Sequence, residues 1–452
     1  MGFKSSLAIT AGKTTQWFLR TFSKGSGASM PGRMATKFDP AILATLSEGY
    51  DVILVTGTNG KTLTTALTYK VLKQKYDHVI TNPTGANMVQ GVTATFLEHY
   101  KRSKKQVKKL AVIEVDEASM VHVTKQLHPK AIVFTNVFRD QMDRYGEIYT
   151  TYRKMLDGAK QSPNATLVVN GDAPIFNSVK VANPVTYFGF DNQPDGEMLA
   201  HHNTDGILCP HCQHILHYKF ITYTNLGKYY CPHCDFKRPE LTYRLTEMTS
   251  LTNQSSDFTI DGHPFHMGIG GLYNIYNALA AYSVGRMFDV SPEQIAKGLQ
   301  LDGQVFGRQE VIQIGDKKVT IVLVKNPVGL NQVIDMIALD PEPFSLSTIL
   351  NAQYADGIDV SWIWDAQFET LPTLNIAQYT VSGERYQDLK LRLEVAGIPE
   401  DELIIKEDLE ALVASFKDAP TKNIYVLATY TAVINLRKVL TEQGFLKGGQ
   451  AE

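Results

Sequence analysis

From Tyr50 onward, short apolar runs alternate with longer stretches at helical spacing. The runs lie at residues 52–55, 78–81, 110–115, 131–135 and 166–169. Each is only a few residues long, largely apolar, and separated from the next by a helix-length segment. That pattern predicts parallel strands covered on both faces, as in a doubly wound α/β domain. A long helix is expected at 271–287. After the glycines near 303–307 a second α/β-like region begins, with apolar runs at 320–324, 347–350, 360–364 and 424–428. The first residues predict an amphipathic helix with Phe18, Leu19 and Phe22 on one side. Three units are therefore expected: a helical segment 1–48, an α/β unit 49–305, and a smaller α/β unit 306–452.

Polar residues recur where the first set of strands should end: Thr56, Asn82, Glu114 with Asp116, Asn136 and Asn170. Ligands of open α/β sheets bind at the carboxyl ends of the strands. The recurrence therefore points to one shared site, although turn chemistry accounts for each Asn or Asp taken singly.

Composition narrows the function classes. Charged residues are 20% and hydrophobic residues 44%, which excludes a wholly disordered chain. Lys plus Arg is 44 and Asp plus Glu 46, a net charge of −2, so nucleic acid is not expected as a bulk partner. No apolar stretch is long enough to span a bilayer. The N-terminus has neither the apolar core nor the cleavage site of a secretory signal, so a cytoplasmic location is expected. Between 101 and 109, Lys101, Arg102, Lys104, Lys105, Lys108 and Lys109 form a basic run. It reads as a solvated helix end, or as attraction to an anionic membrane surface or a substrate phosphate.

The sharpest motif is Gly57-Thr58-Asn59-Gly60-Lys61-Thr62, between an expected strand and an expected helix. Glycines let backbone N–H groups turn towards phosphate oxygens, and the following helix offers its N-terminus. Lys61 can reach the β- and γ-phosphates of a nucleotide, and the Thr62 hydroxyl can bind Mg²⁺. A second motif is Cys209-Pro-His-Cys212, 18 residues, then Cys231-Pro-His-Cys234. These four are the only cysteines, which points to one closed, structural Zn²⁺ site in a reducing compartment. The stretch 200–240 also holds six of the twelve histidines and reads as an insertion.

The loop Thr56-Gly57-Thr58-Asn59-Gly60-Lys61-Thr62 resembles that of the Mur ligases, ATP-dependent amide-forming enzymes. Further motifs follow in the family's order. Thr84-Gly85-Ala86-Asn87-Met88 resembles the Gly-Asn element near the transferred phosphate, and Glu114 the Mg²⁺ carboxylate. Thr135-Asn136-Val137 with Asp140-Gln141-Met142-Asp143 resembles its Asn-x-x-x-Asp-His-x-Asp segment. Asn274 and Asn277 resemble the paired Asn of a helix start whose second Asn contacts adenine. Arg308 resembles an Arg that reaches ATP, and Lys325-Asn326-Pro327 a later, shortened element. Gln141 replaces the family's metal-binding His, and no clear counterpart of its carbamylated lysine exists. Too little chain precedes Tyr50 for the uridine-nucleotide domain of the cell-wall Mur ligases.

The inserted ribbon and the segment Leu350-Asn351-Ala352-Gln353-Tyr354-Ala355-Asp356-Gly357-Ile358-Asp359-Val360-Ser361-Trp362-Ile363-Trp364-Asp365 narrow the resemblance to the synthetase-subunit family of lipid II isoglutaminyl synthases. That resemblance implies amidation of the D-glutamate α-carboxylate of lipid II, through an acyl phosphate, at the cytoplasmic face of the membrane. ATP, Mg²⁺ and Zn²⁺ are the implied cofactors, and contact with the membrane's inner face stays open. It further implies ammonia from a separate glutaminase subunit, GatD, to which the chain lends a carboxylate. Asp356 is the first choice, with Asp359 and Asp365 as alternatives. The rival readings are a folylpolyglutamate synthase-like ligase and a nucleotide-dependent scaffold binding nucleic acid through the ribbon.

Overall fold

The structure is a computed structural model that describes residues 2–22, 28–83, 85–101, 108–140, 148–200, 204–300 and 309–446. Its larger sheet has nine strands. Seven run parallel, in the spatial order Val79–Thr81, Lys109–Glu114, Tyr50–Thr56, Ala131–Phe134, Thr166–Asn170, Val185–Phe190 and Tyr243–Leu251. The antiparallel strands Ser256–Ile260 and His263–Met267 close one edge, joined by a turn through Asp261 and Gly262. Helices cover both faces, so the inner strands are buried almost throughout and read in sequence as continuous apolar runs.

Strand Tyr50–Thr56 lies between Lys109–Glu114 and Ala131–Phe134. The chain after it crosses to one side of the sheet, then returns to build the other side. Strands Tyr50–Thr56 and Ala131–Phe134 therefore flank a topological switch point, and the crevice outside their carboxyl ends is where such a sheet binds a ligand.

The second sheet has six strands, in the order Glu310–Ile314, Lys317–Leu323, Asn423–Ala428, Phe344–Ile349, Ile376–Ser382 and Leu403–Lys406. Separate apolar cores fill its two faces. The run at 360–364 is not a strand here. Ser361–Trp364 forms a 3-10 turn, started by the Ser361 N–H donating to Asp359 Oδ1 at 2.8 Å. Four apolar residues fit either conformation, and this capping hydrogen bond selects the turn.

A three-stranded sheet, Met198–Leu199, His217–Tyr223 and Leu226–Tyr230, carries the cysteine knuckles around a small core of Leu216, Tyr218, Tyr229 and Phe236. Arg238 fastens it to the large sheet through a buried ion pair with Asp172 at 2.9 Å. The Tyr276 hydroxyl donates to the same carboxylate at 2.7 Å and meets Thr222 of the small sheet at 2.8 Å. The N-terminal helices, Phe3–Phe22, Met30–Phe38 and Ile42–Leu46, contribute Ala8, Ile9, Ala35 and Leu43 to the core of the large sheet. No described helix is long and apolar enough to cross a membrane.

Candidate functional site

The glycine loop leaves strand Tyr50–Thr56 and enters helix Lys61–Lys73 at the switch point. Gly57 has φ +132° and Gly60, the helix N-cap, φ +80°, values that favour glycine. Space demands it as well. A Cβ on Gly57 would lie 2.3 Å from Thr135 Oγ1, and one on Gly60 2.2 Å from Asn277 Oδ1.

The adjacent strand end holds the loop's shape. The N–H of Thr58 donates to Asn136 O at 2.9 Å, and that of Asn59 to Asn136 Oδ1 at 2.8 Å. Asn136 and Thr135 return hydrogen bonds to Asn59 O at 3.0 and 2.9 Å. Of the polar strand ends, Thr56, Glu114 and Asn136 lie on adjoining strands beside this loop, while Asn82 bridges the Glu114 backbone at 2.8 and 3.0 Å and Asp116 accepts from the Ala118 N–H at 3.0 Å. Asn170 does not join them: its Oδ1 accepts from the Asp172 N–H at 3.1 Å, ordinary turn chemistry.

Lys61 is buried under the loop. Its amino group donates to Gly57 O at 2.5 Å and lies 3.2 Å from Glu117 Oε1. Burial opposes its charge, but Glu117 and the carboxylates Glu114, Asp116 and Asp140 outweigh that and raise its pKa. Glu117 is also raised, chiefly by burial, with Lys61 pulling the other way. Glu117 was not singled out from sequence. The signal was present, since Glu114, Asp116 and Glu117 crowd one strand end.

Glu114 is buried, with Oε1 accepting from Asn87 Nδ2 at 2.9 Å. Its Oε2 is buried without a hydrogen-bond partner and would lie 3.9 Å from a Cβ on Gly85. A buried carboxylate oxygen left over beside the glycine loop fits a divalent cation. Thr62 lies half-buried at the second position of helix Lys61–Lys73.

A cleft runs between the two sheets, lined by Asn59, Gly60, Tyr223, Tyr273, Asn277 and Lys325. Asn277 Oδ1 accepts from Thr64 Oγ1 at 3.1 Å. Asn274 instead donates to Gly270 O at 2.6 Å and is not among the cleft residues. Lys325 is ion-paired with Asp140. Arg308, Thr84 and Gln141 lie outside the described residues, as do the middle of the basic run and the expected boundary at 303–307.

The four cysteine sulfurs lie within 4.8 Å of one another, with Cys209 to Cys234 at 3.6 Å and Cys212 to Cys231 at 3.4 Å. Zn–S bonds of about 2.3 Å in a tetrahedron need sulfurs about 3.8 Å apart. The N–H groups of His211 and His233 each donate at 3.4 Å to the first sulfur of their knuckle, Cys209 and Cys231. Burial opposes charge on Cys231, but the His233 N–H and the neighbouring thiols bring it down to about 7. Donor chemistry and spacing both fit one Zn²⁺. The knuckle histidines are not in the cluster: His214 stacks on His233 at 3.5 Å and His211 packs on Phe236.

In the second sheet's region, Asp356 is buried and accepts from Thr431 N at 2.7 Å and Thr431 Oγ1 at 2.5 Å. The exposed Asp359 caps Ser361, and the exposed Asp365 pairs with Arg139 at 2.9 Å. Beside Asp356, Tyr354 is 79% exposed and Ile358 62%.

The sequence pattern of the Mur ligase middle domain matches residues 55–285, and that of the MurT ligase C-terminal region residues 323–433. The chain is 47% identical over 447 residues, 99% of each chain, to the MurT subunit of lipid II isoglutaminyl synthase (glutamine-hydrolyzing) from Streptococcus pneumoniae. It is 33% identical to the MurT subunit from Staphylococcus aureus, over 94% of this chain and 95% of that one. Among solved structures, a pseudomurein peptide ligase type C from Methanothermus fervidus superposes with a TM-score of 0.66 at 19% identity, covering 93% of this chain and 86% of that one. That likeness shows the shared fold. With the phosphate-type loop and the four-cysteine ribbon in place, likeness over the whole length shows that this chain belongs to the MurT family, an ATP-dependent ligase built on the Mur ligase fold.

Proposed function

We propose that the chain amidates the D-glutamate α-carboxylate of lipid II, with ATP as the energy source and ammonia supplied by a glutaminase partner, GatD. One observation carries the chemistry: the buried Lys61 amino group and the unpartnered Glu114 oxygen lie at neighbouring strand ends beside one glycine loop. Likeness to MurT subunits supplies the substrate, since those relatives are named for lipid II.

A carboxylate does not form an amide at neutral pH unless it is activated. Its oxygen attacks the γ-phosphorus of ATP, ADP leaves, and an acyl phosphate results. Ammonia then attacks the acyl carbon, the C–O bond to phosphate breaks, and the nitrogen loses a proton. Lys61 and the loop N–H groups hold the phosphates. Thr62 and Glu114 would hold Mg²⁺, which offsets charge on the transferring phosphoryl group. Glu117 keeps Lys61 charged and aimed. Asn277 and Lys325 face the nucleotide in the cleft, with Asn87 and Arg308 completing the set expected from the resemblance, while Asn274, bonded to Gly270 O, holds the start of the helix that carries Asn277. Ammonia needs no carboxylate-binding pocket, unlike the amino acid of a folylpolyglutamate synthase-like ligase.

The working units of this reading are 49–305 for ATP and 306–452 for the partner, acting at the cytoplasmic face of the membrane. Asp356 is the carboxylate lent to the glutaminase, where it would orient a histidine. Tyr354 and Ile358 flank it as docking side chains. The test is mass spectrometry of lipid II after incubation with the chain, Mg-ATP and an ammonium salt. A loss of about 1 Da, hydroxyl exchanged for amino, supports the reading. Unchanged lipid II with the glutaminase also present overturns it.

A further inference from the structure

Helix Phe3–Phe22 is apolar on two opposite faces. The inner face buries Ala8 and Ile9 in the core of the large sheet. The outer face carries Phe3, Leu7, Trp17, Phe18 and Phe22, all exposed. At 3.6 residues per turn these five fall within an arc of about 140°. Phe3 is 86% exposed, Phe22 66% and Trp17 61%. Phe18 and Trp17 sit around Phe22 with ring centroids 5.0 and 6.0 Å away, so the end of the helix presents a continuous aromatic patch. Soluble surfaces rarely leave so many large apolar side chains together without a partner.

The stretch of sequence that carries this patch is basic, although Asp39 reaches the helix by accepting from Ser5 Oγ at 2.8 Å. Lys4, Lys13, Arg20, Lys24, Arg33 and Lys37 fall within the first 38 residues, and the first acidic residue is Asp39. Lys13 donates to Tyr100 O at 2.7 Å, which sets the helix beside the chain position where the basic run begins at Lys101. Arg20 is offset by Glu98, but Lys4 and Lys13 have no acidic partner among the described ion pairs. Aromatic side chains flanked by cations on a helix lying flat are what an anionic membrane interface takes up.

We propose that helix Phe3–Phe22 docks the chain on an anionic phospholipid bilayer, with Trp17, Phe18 and Phe22 entering the headgroup–acyl boundary. The surface is separate from the nucleotide cleft and does not depend on which carboxylate is amidated. The test is co-sedimentation of the full-length chain with vesicles of phosphatidylcholine plus phosphatidylglycerol, and with phosphatidylcholine alone. The expected result is partition onto the anionic vesicles that weakens as salt rises to about 0.5 M. The triple variant Trp17→Ser, Phe18→Ser, Phe22→Ser should bind at least about ten-fold more weakly. Because the three side chains point outward, its unfolding temperature should match the parent. The double variant Phe3→Ser, Leu7→Ser should weaken binding independently. ADP formation on a water-soluble, short-chain analogue of the substrate should be unchanged, which separates docking from chemistry. Equal partition of parent and both variants overturns the proposal, as does no partition by the parent. A dimer of the parent that the triple variant dissolves overturns it too, by making the patch a contact between copies.

Discussion

Asn59 in the glycine loop and Asn326, just after strand Lys317–Leu323 of the second sheet, exchange amide hydrogen bonds across the cleft. Asn326 Nδ2 donates to Asn59 Oδ1 at 2.9 Å, and Asn59 Nδ2 to Asn326 Oδ1 at 3.2 Å. Asn326 also caps helix Pro327–Ile337, accepting from Gly329 N at 2.7 Å. One side chain therefore fixes both a helix end and the approach of that helix to the phosphate loop. Asn326→Asp separates the two roles. It keeps the cap acceptor but sets an anionic oxygen against Asn59 Oδ1. An acceptor facing an acceptor loses about 1–3 kcal/mol. The expected outcome is a fall of only a few degrees in unfolding temperature, as about 1–3 kcal/mol implies, with turnover reduced roughly ten-fold or more. Melting curves and ATP-dependent kinetics on one preparation check it, and parent-like turnover in the folded variant would make the pair merely structural.

Lys61→Ala should abolish ATP-dependent turnover, by at least about 10²-fold, because a cation aimed at developing charge is lost. It should also destabilise the apo chain, since Glu117 stays buried without its partner, a loss of roughly 3–5 kcal/mol when the carboxylate is charged. The pH dependence has a definite sign. Burial raises the pKa of Glu117 above its ordinary 4.5, so its protonated form is favoured in the fold. Stability tied to this group is fully present below 4.5 and is lost as pH rises through the folded value. Without Lys61 the folded value rises further, so the variant should lose more stability than the parent between acid and neutral pH. Adding Glu117→Gln should restore stability at neutral pH and leave turnover abolished. Restored turnover would remove Lys61 from the chemistry.

The cysteine ribbon reaches the cleft through its own strand. Tyr223 ends His217–Tyr223 and lines the cleft, while Thr222 beside it holds the Tyr276 hydroxyl. Loosening the ribbon should therefore disturb nucleotide binding as well as the ribbon. Cys209→Ser is expected to lower zinc content, lower the unfolding temperature by at least about 4 °C, and raise the KM for ATP. Elemental analysis, calorimetry and steady-state kinetics read the three effects. A zinc-free variant with unchanged KM would confine the metal to local stability.

The parts that sequence revealed share a physical cause. Strands 52–55, 110–115 and 131–135 are buried on both faces, so they read as unbroken apolar runs. Gly57 and Gly60 are required by backbone angle and crowding, and the four cysteines stand at a spacing that fits one metal ion. What sequence left out depends on tertiary contact. The ion pair of Lys61 with Glu117 spans 56 positions and the Asn59–Asn326 exchange spans 267. Neither distance leaves a local pattern. The first helix was legible as amphipathic, but not as apolar on both sides. Leu19 is half-buried while Phe18 and Phe22 face outward with Trp17. Asp356 reads in sequence as a loop aspartate, and only the fold brings Thr431 to it.

That contact decides how Asp356 can be tested. Its carboxylate accepts from both the N–H and the hydroxyl of Thr431, and so joins the 351–360 loop to helix Tyr430–Glu442. Asp356→Ala would empty these hydrogen bonds and the one accepted from Gln353 N at 3.1 Å, and confuse a folding defect with a catalytic one. In Asp356→Asn the amide oxygen still accepts from Thr431 N, and the amide nitrogen can donate to Thr431 Oγ1. The Gln353 N–H, which donates to the same carboxylate at 3.1 Å, loses its acceptor, so stability should fall by about 1–3 kcal/mol with the variant still folded. What disappears is the negative charge that would hold a partner histidine in the right tautomer and stabilise its cation. Glutamine-driven amidation in the assembled complex should fall by at least about 10²-fold, while amidation fed with an ammonium salt stays near the parent rate. Asp359→Asn, altering an exposed turn cap, should change neither. Equal loss with both nitrogen donors would leave Asp356 as a clamp on Thr431 alone, and loss with glutamine only in Asp359→Asn would move the lent carboxylate to that position.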